Sequence, residues 1–110
     1  MAEQLTEAQM QNSLKHAALQ LGYRCYHTTY SIGSDAGFPD LHIVGHGRQF
    51  VFELKGPRGK LRPGQQDWID AYREAGVDAL VIWPDEYDKA LDLLEMGYRA
   101  AMEGGRDADG

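Results

Sequence analysis

Cysteine is nearly absent from the sequence, and so are the features that would direct the chain to a membrane or a secretory route. Cys25 is the single cysteine, so an internal disulfide is impossible, and we expect a reducing, cytoplasmic compartment. No apolar run approaches the roughly 20 residues that span a bilayer. The polar, acidic start MAEQLTEAQM lacks the basic and apolar parts of a signal peptide. We therefore expect no membrane partner.

An excess of positive charge is also lacking. The chain carries 11 Lys and Arg against 17 Asp and Glu, which gives a net charge of -6. A protein that coats nucleic acid without selectivity would be basic, so this class is excluded. An enzyme that binds divalent metals is not excluded, because the metals offset its extra carboxylates locally. The bases are also concentrated, since residues 55–62 contain four of them and no acid: Lys55, Arg58, Lys60 and Arg62.

What the sequence does contain is the pattern of one α/β domain. Its 110 residues suit a single modest core. Caps and helical spacing predict three helices, and aromatic or apolar runs predict four strands. The predicted helices cover 7–21, 64–75 and 86–102, and the predicted strands cover 23–30, 40–44, 49–55 and 77–83. The order α-β-β-β-α-β-α favours a mixed sheet of about four strands flanked by helices. We expect the domain to cover 1–103 and a flexible tail to cover 104–110.

The two central strands form a predicted hairpin whose register can be worked out. A turn centred between His46 and Gly47 places Asp40 opposite Glu53. Facing residues of an antiparallel pair point to the same side of the sheet. Residues two apart on a strand also share a face, so Lys55 joins Glu53. Two carboxylates and one ammonium are thus expected to converge beside the glycine- and proline-rich basic loop 56–64.

This group of side chains suits phosphodiester hydrolysis. Carboxylate oxygens are the ligands that Mg²⁺ and Mn²⁺ prefer, so Asp40, Glu53 and the backbone carbonyl of Leu54 are the predicted metal ligands. A metal supplies an activated water and stabilises charge on the phosphoryl group. Two nearby carboxylates favour the charged form of Lys55, which we interpret as an electrostatic clamp. The alternative is a surface hairpin with a cross-strand charge cluster. The rigid approach Gly37-Phe38-Pro39 favours the site.

Several motifs resemble one known family. GFPDL (37–41), FELK (52–55), GKLRPGQ (59–65) and the following Trp68 are similar to the VRR-NUC branch of the PD-(D/E)XK nucleases. TEAQMQ (6–11), YHTTYSIGSDAGFPDL (26–41) and AGVDALVIWPDE (75–86) extend the resemblance to about three quarters of the chain. The order and the spacing of these motifs agree with the family. One departure is SIGSDAG, since the family often carries Arg before its GFPDL motif.

The resemblance implies a restriction-endonuclease-like core with Asp40, Glu53 and Lys55 as its catalytic residues. It also implies that Gln65 is an additional active-site residue and that Glu7 is an acid of the first helix, a further candidate metal ligand. The alternatives are that Gln65 caps its helix and that Glu7 offsets the helix dipole.

Contacts with DNA are expected from the basic segment. The candidate residues in this segment are Lys55, Arg58, Lys60 and Arg62. His27 and Ser34, outside the segment, are further candidates for DNA contact. The alternative is that these bases only form a solvated loop. His42 and His46 lack a cysteine partner, so we do not interpret them as a zinc site.

These observations predict an Mg²⁺- or Mn²⁺-dependent DNA endonuclease. Stand-alone members of the family resemble Holliday-junction resolvases, which implies a branched DNA substrate and a homodimer, in a bacterium or a phage-infected host cell. Two alternatives stay open: a nuclease of the same fold acting on flaps, ends or single strands, and a non-catalytic DNA-binding or interaction module.

Overall fold

Four strands form one mixed sheet in the spatial order β1-β2-β3-β4. The computed structural model describes residues 4–29 and 37–109, with side chains as far as Gly104. The elements are α1 (Glu7–Gln20), β1 (Arg24–His27), β2 (Leu41–Gly45), β3 (Arg48–Leu54), α2 (Pro63–Glu74), β4 (Asp78–Ile82) and α3 (Tyr87–Asp109), with a single 3-10 turn at Pro84–Glu86. This order and the four-stranded sheet confirm the predicted fold class. Strands β1, β2 and β3 pair antiparallel, whereas β4 runs parallel to β3.

The register predicted for the central hairpin is confirmed. Leu41 pairs with Phe52, and Gly45 pairs with Arg48, on either side of the turn. The turn residues His46 and Gly47 have φ values of 54° and 74°. Two successive positive φ angles are typical of the two-residue turn that matches the twist of a hairpin. This turn holds the register that brings Asp40 and Glu53 level with each other.

The alternation of side chains along the strands gives the sheet two different faces. Helices α1 and α3 cover one face, and its core contains Met10, Leu14, Ala18, Leu41, Ile43, Phe50, Phe52, Leu54, Ile82, Ala90 and Leu94. Helix α2 packs on the other face, where Val51, Ile69 and Ala79 form a smaller cluster. Glu53 lies between Phe52 and Leu54 on β3 and therefore points to the α2 face. The large core anchors the sheet, and the smaller face carries the polar residues.

Two elements end three or more residues away from their predicted bounds. Strand β1 ends at His27, although the Thr28 amide still donates to the Asp40 carbonyl in the register of the β1–β2 pair. Helix α3 continues to Asp109 instead of ending at 102, because a glycine inside a helix costs only about 1 kcal/mol and no proline follows. The flexibility of 104–110 stays a prediction. In the described part of the chain, no helix is both long and apolar enough to cross a membrane.

Candidate active site

Asp40 is fixed at the entrance to β2 by its backbone and by its side chain. Pro39 before it is fully buried. Thr28 donates its amide to the Asp40 carbonyl at 2.7 Å and its hydroxyl to the Pro39 carbonyl at 2.6 Å. The Asp40 carboxylate accepts, at Oδ2, a 2.7 Å hydrogen bond from the backbone amide of Leu54. The carboxylate is therefore held against the end of β3, where the predicted ligand carbonyl of Leu54 also lies.

Gly37 allows the approach segment to reach α2. Its φ is +85°, and a Cβ added there would lie 2.6 Å from the carbonyl carbon of Gly64. A larger residue would therefore be strained and would also collide with the first turn of α2. Next to Gly37, the Phe38 ring packs edge-on against Trp68 at 4.9 Å. The segment before Asp40 is thus packed directly on the helix that carries Gln65.

Glu53 is a buried carboxyl group, with only 2% of the residue exposed. Its Oε2 accepts a 3.0 Å hydrogen bond from Nε2 of Gln65 and lies 3.7 Å from Nζ of Lys55. Its Oε1 is buried and has no hydrogen-bond partner within residues 4–29 and 37–109. A buried carboxylate oxygen without a partner is costly, so this atom indicates a place for a ligand.

Burial, followed by the charge of the neighbouring Asp40 carboxylate, raises the pKa of Glu53 to about 8; Glu7 acts in the same direction, whereas Lys55 lowers the pKa. Neighbouring carboxyl groups disfavour each other's ionised form in a site that excludes water. A divalent cation between them would reverse this effect, because it favours the ionised form of both.

Lys55 is held by Gln65. Its side chain is only 10% exposed, and its Nζ donates a 2.7 Å hydrogen bond to Oε1 of Gln65. The same oxygen accepts a 3.0 Å bond from the backbone amide of Arg62, at the start of α2. Gln65 therefore caps its helix and also contacts the candidate site, so the two interpretations of this residue are compatible.

The basic loop is packed on Lys55, but its charged groups face solvent. A Cβ added at Gly59 would lie 3.1 Å from Cβ and Cδ of Lys55, so the loop crosses the stem of the lysine closely. Trp83 fixes the loop by donating from Nε1 to the Gly59 carbonyl at 2.9 Å. The three remaining bases of the segment are exposed: Arg58, Lys60 and Arg62. Their contact with DNA stays a prediction.

Glu7 lies at the edge of the candidate site. It is exposed in the first turn of α1, and its Oε2 lies 3.9 Å from the position of a Cβ on Gly56, the residue after Lys55. The capping box of Thr6 and Gln9 already satisfies the helix end. Glu7 in this first turn can also offset the helix dipole, so its two interpretations are compatible and its role as a ligand stays a prediction.

Two further candidates do not join this group. His27 pairs with Leu41 and so points to the α1 face, where its Nδ1 accepts a 2.9 Å bond from Lys15. It lies on the opposite face of the sheet from Glu53. Ser34 lies outside the described residues.

Sequence reasoning missed an aromatic cluster beside Asp40. The His42 ring stacks on Phe38 at 4.7 Å and lies 6.0 Å from the ring of Tyr72. Burial lowers the pKa of His42, and Asp40 opposes this shift. The position of His42 near Asp40 could have been predicted, because His42 follows Asp40 by two residues and therefore points to the same face of the sheet. His46 instead bonds the Leu21 carbonyl from Nε2, so the two histidines do not share a site.

The donor set fits a hard divalent cation. Among the described residues, no three His, Cys, Asp or Glu side chains converge as a metal cluster. The carboxylates of Asp40 and Glu53 therefore stand as a pair. Mg²⁺ commonly uses one or two protein carboxylates and keeps several waters, so a pair with a partnerless buried oxygen suits it.

Two solved structures are similar to this chain in fold. A solved structure described as "VRR_NUC domain" is 24% identical, has a TM-score of 0.66 and is matched over 80% of this chain and 97% of its own. Another, described as "VRR_NUC domain protein", is 20% identical, has a TM-score of 0.65 and is matched over 84% of this chain and 88% of its own. At these identities the likeness shows the fold. No protein of curated function matches the sequence.

The sequence itself matches the family profile of the VRR-NUC domain over residues 2–83, which is most of the chain. The protein therefore belongs to the VRR-NUC domain family, a family of nuclease-type domains.

Proposed function

We propose that the protein is a divalent-metal-dependent DNA endonuclease that hydrolyses phosphodiester bonds. The observation that supports this most is the buried carboxyl of Glu53, whose Oε1 lacks a partner within the described residues, beside the carboxylate of Asp40. Such a pair is unfavourable without a cation. The same place holds a lysine and an amide, groups that bind a phosphoryl oxygen and a water.

Each side chain has a separate role in this proposal. Asp40 and Glu53 would hold Mg²⁺ or Mn²⁺, with the Leu54 carbonyl and Glu7 as further candidate ligands. When bound, the metal supplies an activated water and neutralises charge on the phosphoryl group. Lys55 stabilises the negative charge that develops on the phosphoryl oxygens.

Gln65 is a positioning residue in this scheme. Its Oε1 holds the ammonium of Lys55, and its Nε2 holds Oε2 of Glu53, so the Oε1 of Glu53 is left for a ligand. The donor and acceptor pattern fixes the orientation of the amide, because Lys55 can only donate.

Branched DNA and a homodimer belong to the same proposal and rest on the resemblance to Holliday-junction resolvases. The described surface offers one positive segment beside the site, at Arg58, Lys60 and Arg62. This segment suits the DNA backbone, which any DNA presents. We therefore expect selection by the shape of the DNA and not by its base sequence.

A panel of four-way junction, flap, nicked, linear and single-stranded DNAs tests the proposal. We expect Mg²⁺- or Mn²⁺-dependent cleavage by the wild type, with symmetric paired cuts in the junction. Lys55→Ala should lose at least about 100-fold in rate, the usual effect of removing one group that stabilises transition-state charge. Lys89→Ala is the matched control, because it removes an exposed lysine of α3. A circular dichroism melt checks that both variants fold.

The outcomes separate the alternatives. Cleavage of flaps, ends or single strands without junction cutting favours the second kind of nuclease. No cleavage of any DNA with either metal favours a non-catalytic module. Equal rates for wild type and Lys55→Ala would refute the assignment of the site.

A further inference from the structure

A shallow cleft of about 360 Å³ lies along the flank of α2. Its described lining is Gly64, Asp67, Trp68 and Ala71, which lie on successive turns of one side of the helix. None of these residues has a role in the hydrolysis proposed above. The lining combines an indole ring, a carboxylate and small residues that leave the ring accessible.

The cleft lies next to the candidate active site. Gln65, which holds Glu53 and Lys55, precedes Trp68 by three residues and contacts the same sheet face. Residues three apart on a helix are neighbours, with about 5–6 Å between their Cβ atoms. Trp68 therefore neighbours, on α2, the residue that holds Glu53 and Lys55.

The Trp68 ring is held in place before any ligand arrives. The Phe38 ring packs against it at 4.9 Å with an interplanar angle of 83°, and the Tyr72 ring lies at 6.1 Å. Phe38 belongs to the approach segment of Asp40, so the ring and the carboxylate are fixed by the same packing. A ring that is already immobile loses little entropy when a base stacks on it.

The charge of the cleft favours a base over a phosphate. Asp67 is exposed at its edge and would repel a phosphate group. A carboxylate accepts hydrogen bonds, and the exocyclic amino group of cytosine is a donor that Asp and Glu recognise. Adenine and guanine also carry amino groups, whereas thymine does not.

We propose that this cleft binds one unpaired nucleobase that carries an exocyclic amino group, adjacent to the phosphodiester that is cleaved. The base stacks on Trp68 and donates to Asp67. The inference rests on the proposed nuclease function and adds the part of the substrate that the site selects: a nucleotide outside a base pair, as at a branch point, a flap or a single strand.

The first test combines a substrate change with a protein change. The cut position is mapped on the DNA that the wild type cleaves best, and each flanking nucleotide is replaced in turn by an abasic site. We expect one position where removal of the base slows cleavage at least about 5-fold, the lower end of base stacking on an aromatic residue. Trp68→Leu should show a similar loss on the intact DNA and no further loss on the abasic DNA.

Two variants control for folding and for aromatic surface in general. Trp68→Phe keeps a stacking ring and should retain most of the rate, so a fold defect of Trp68→Leu does not end the test. Tyr26→Leu removes a ring that is 60% exposed on the same sheet but does not line the cleft. It should leave the abasic profile unchanged. If Trp68→Leu slowed cleavage of the abasic DNA by as large a factor as it slows cleavage of the intact DNA, the two changes would act independently. This result would overturn the proposal.

The second test concerns Asp67. With cytosine or thymine at the mapped position, the wild type should prefer cytosine at least about 5-fold. Asp67→Asn should reduce this preference, because an amide both donates and accepts. Glu74→Gln is the control, since it removes one exposed carboxylate of the same helix outside the cleft. An unchanged preference in Asp67→Asn would contradict the role of Asp67.

A binding measurement separates failure of this inference from failure of the nuclease proposal. Fluorescence anisotropy compares a short labelled oligodeoxycytidine with its abasic counterpart, in EDTA, for the wild type and Trp68→Leu. Weaker binding of the abasic probe by the wild type alone supports the cleft even if no DNA is cleaved. Cleavage with equal binding of both probes would refute the cleft and leave the nuclease proposal intact.

Discussion

Gln65 of α2 donates a 3.0 Å hydrogen bond from its Nε2 to Oε2 of Glu53 on β3. This bond joins the helix to a carboxyl group that is 2% exposed. Its geometry depends on the first turn of α2, because the other end of the same amide accepts from the backbone of Arg62. The beginning of the helix and the candidate active site therefore form one hydrogen-bonded unit.

Replacement of Gln65 by Leu should weaken both stability and activity. The change leaves the Glu53 carboxyl, the Lys55 ammonium and the Arg62 amide without this partner. We expect a loss of about 1–3 kcal/mol in the free energy of unfolding, measured by urea denaturation. Gln66→Leu is the matched control, since Gln66 bonds Asp70 on the exposed side of the helix, and its effect should stay within about 0.5 kcal/mol. Similar losses in both variants would contradict the coupling of Gln65 to the site.

The raised pKa of Glu53 predicts how stability depends on pH in the metal-free protein. Folding raises this pKa from 4.5 to about 8, so the folded state favours the protonated carboxyl. This contribution is fully present below pH 4.5 and is lost as the pH rises through 8. We expect the free energy of unfolding in EDTA to fall by on the order of a few kcal/mol between these limits.

Glu53→Gln isolates this effect, because the amide has a similar shape and does not titrate. As the pH falls, the free energy of unfolding of the wild type should approach that of the variant. Mg²⁺ should stabilise the wild type more at pH 8 than at pH 5 and should stabilise the variant less, since a ligand that binds only the folded state raises its stability. A variant with the same pH dependence as the wild type would contradict the burial of a titrating Glu53.

Substitution of Gly37 and of Gly47 by Ala distinguishes the cost of backbone strain from the cost of a steric clash. Both have positive φ, but a Cβ at Gly37 would meet the backbone of Gly64, whereas nothing lies within 4 Å of a Cβ at Gly47. Gly47→Ala should cost on the order of 1–2 kcal/mol, the usual penalty for left-handed backbone. Gly37→Ala should cost clearly more and should also slow cleavage, because it displaces the segment before Asp40. Equal unfolding free energies for the two variants would argue against the contact with α2.

The basic segment should determine the salt dependence of DNA binding. Each phosphate contact that is lost reduces the slope of log K against log salt by roughly 0.9 on duplex DNA. We expect Arg58→Ala and Lys60→Ala each to weaken binding and to lower this slope, in fluorescence titrations at several salt concentrations. Arg99→Ala is the control, since Arg99 is exposed on α3 and pairs with Glu95. If the slope of log K against log salt changed only in Arg99→Ala, the DNA would bind away from the basic segment.

Local chemistry made much of the fold predictable. The turn at His46 and Gly47 sets the hairpin register within a few residues, and this register places Asp40 level with Glu53. The capping box at Thr6 likewise marks the first helix without reference to the rest of the chain. These features depend on neighbours in sequence, so the sequence pattern contains them.

Contacts between distant segments were not predictable in the same way. Helix α2 packs on β3 and β4 and covers this face of the sheet, and the resulting burial raises the pKa of Glu53. The packing of Phe38 on Trp68 depends on the close approach of Gly37 to α2. Helical spacing places Trp68 on α2 but does not reveal that its ring packs on Phe38 and lines a cleft.

The His46–Gly47 turn lies at the end of the hairpin opposite the carboxylates. Glu53 is near the far end of the seven-residue strand β3, which rises roughly 3.3 Å per residue from its start beside the turn. Gln49 is exposed near this turn. A linker attached at Gln49 would fix the protein to a support with the candidate site facing the solution. The immobilised protein could then be offered single DNA molecules that are held under tension.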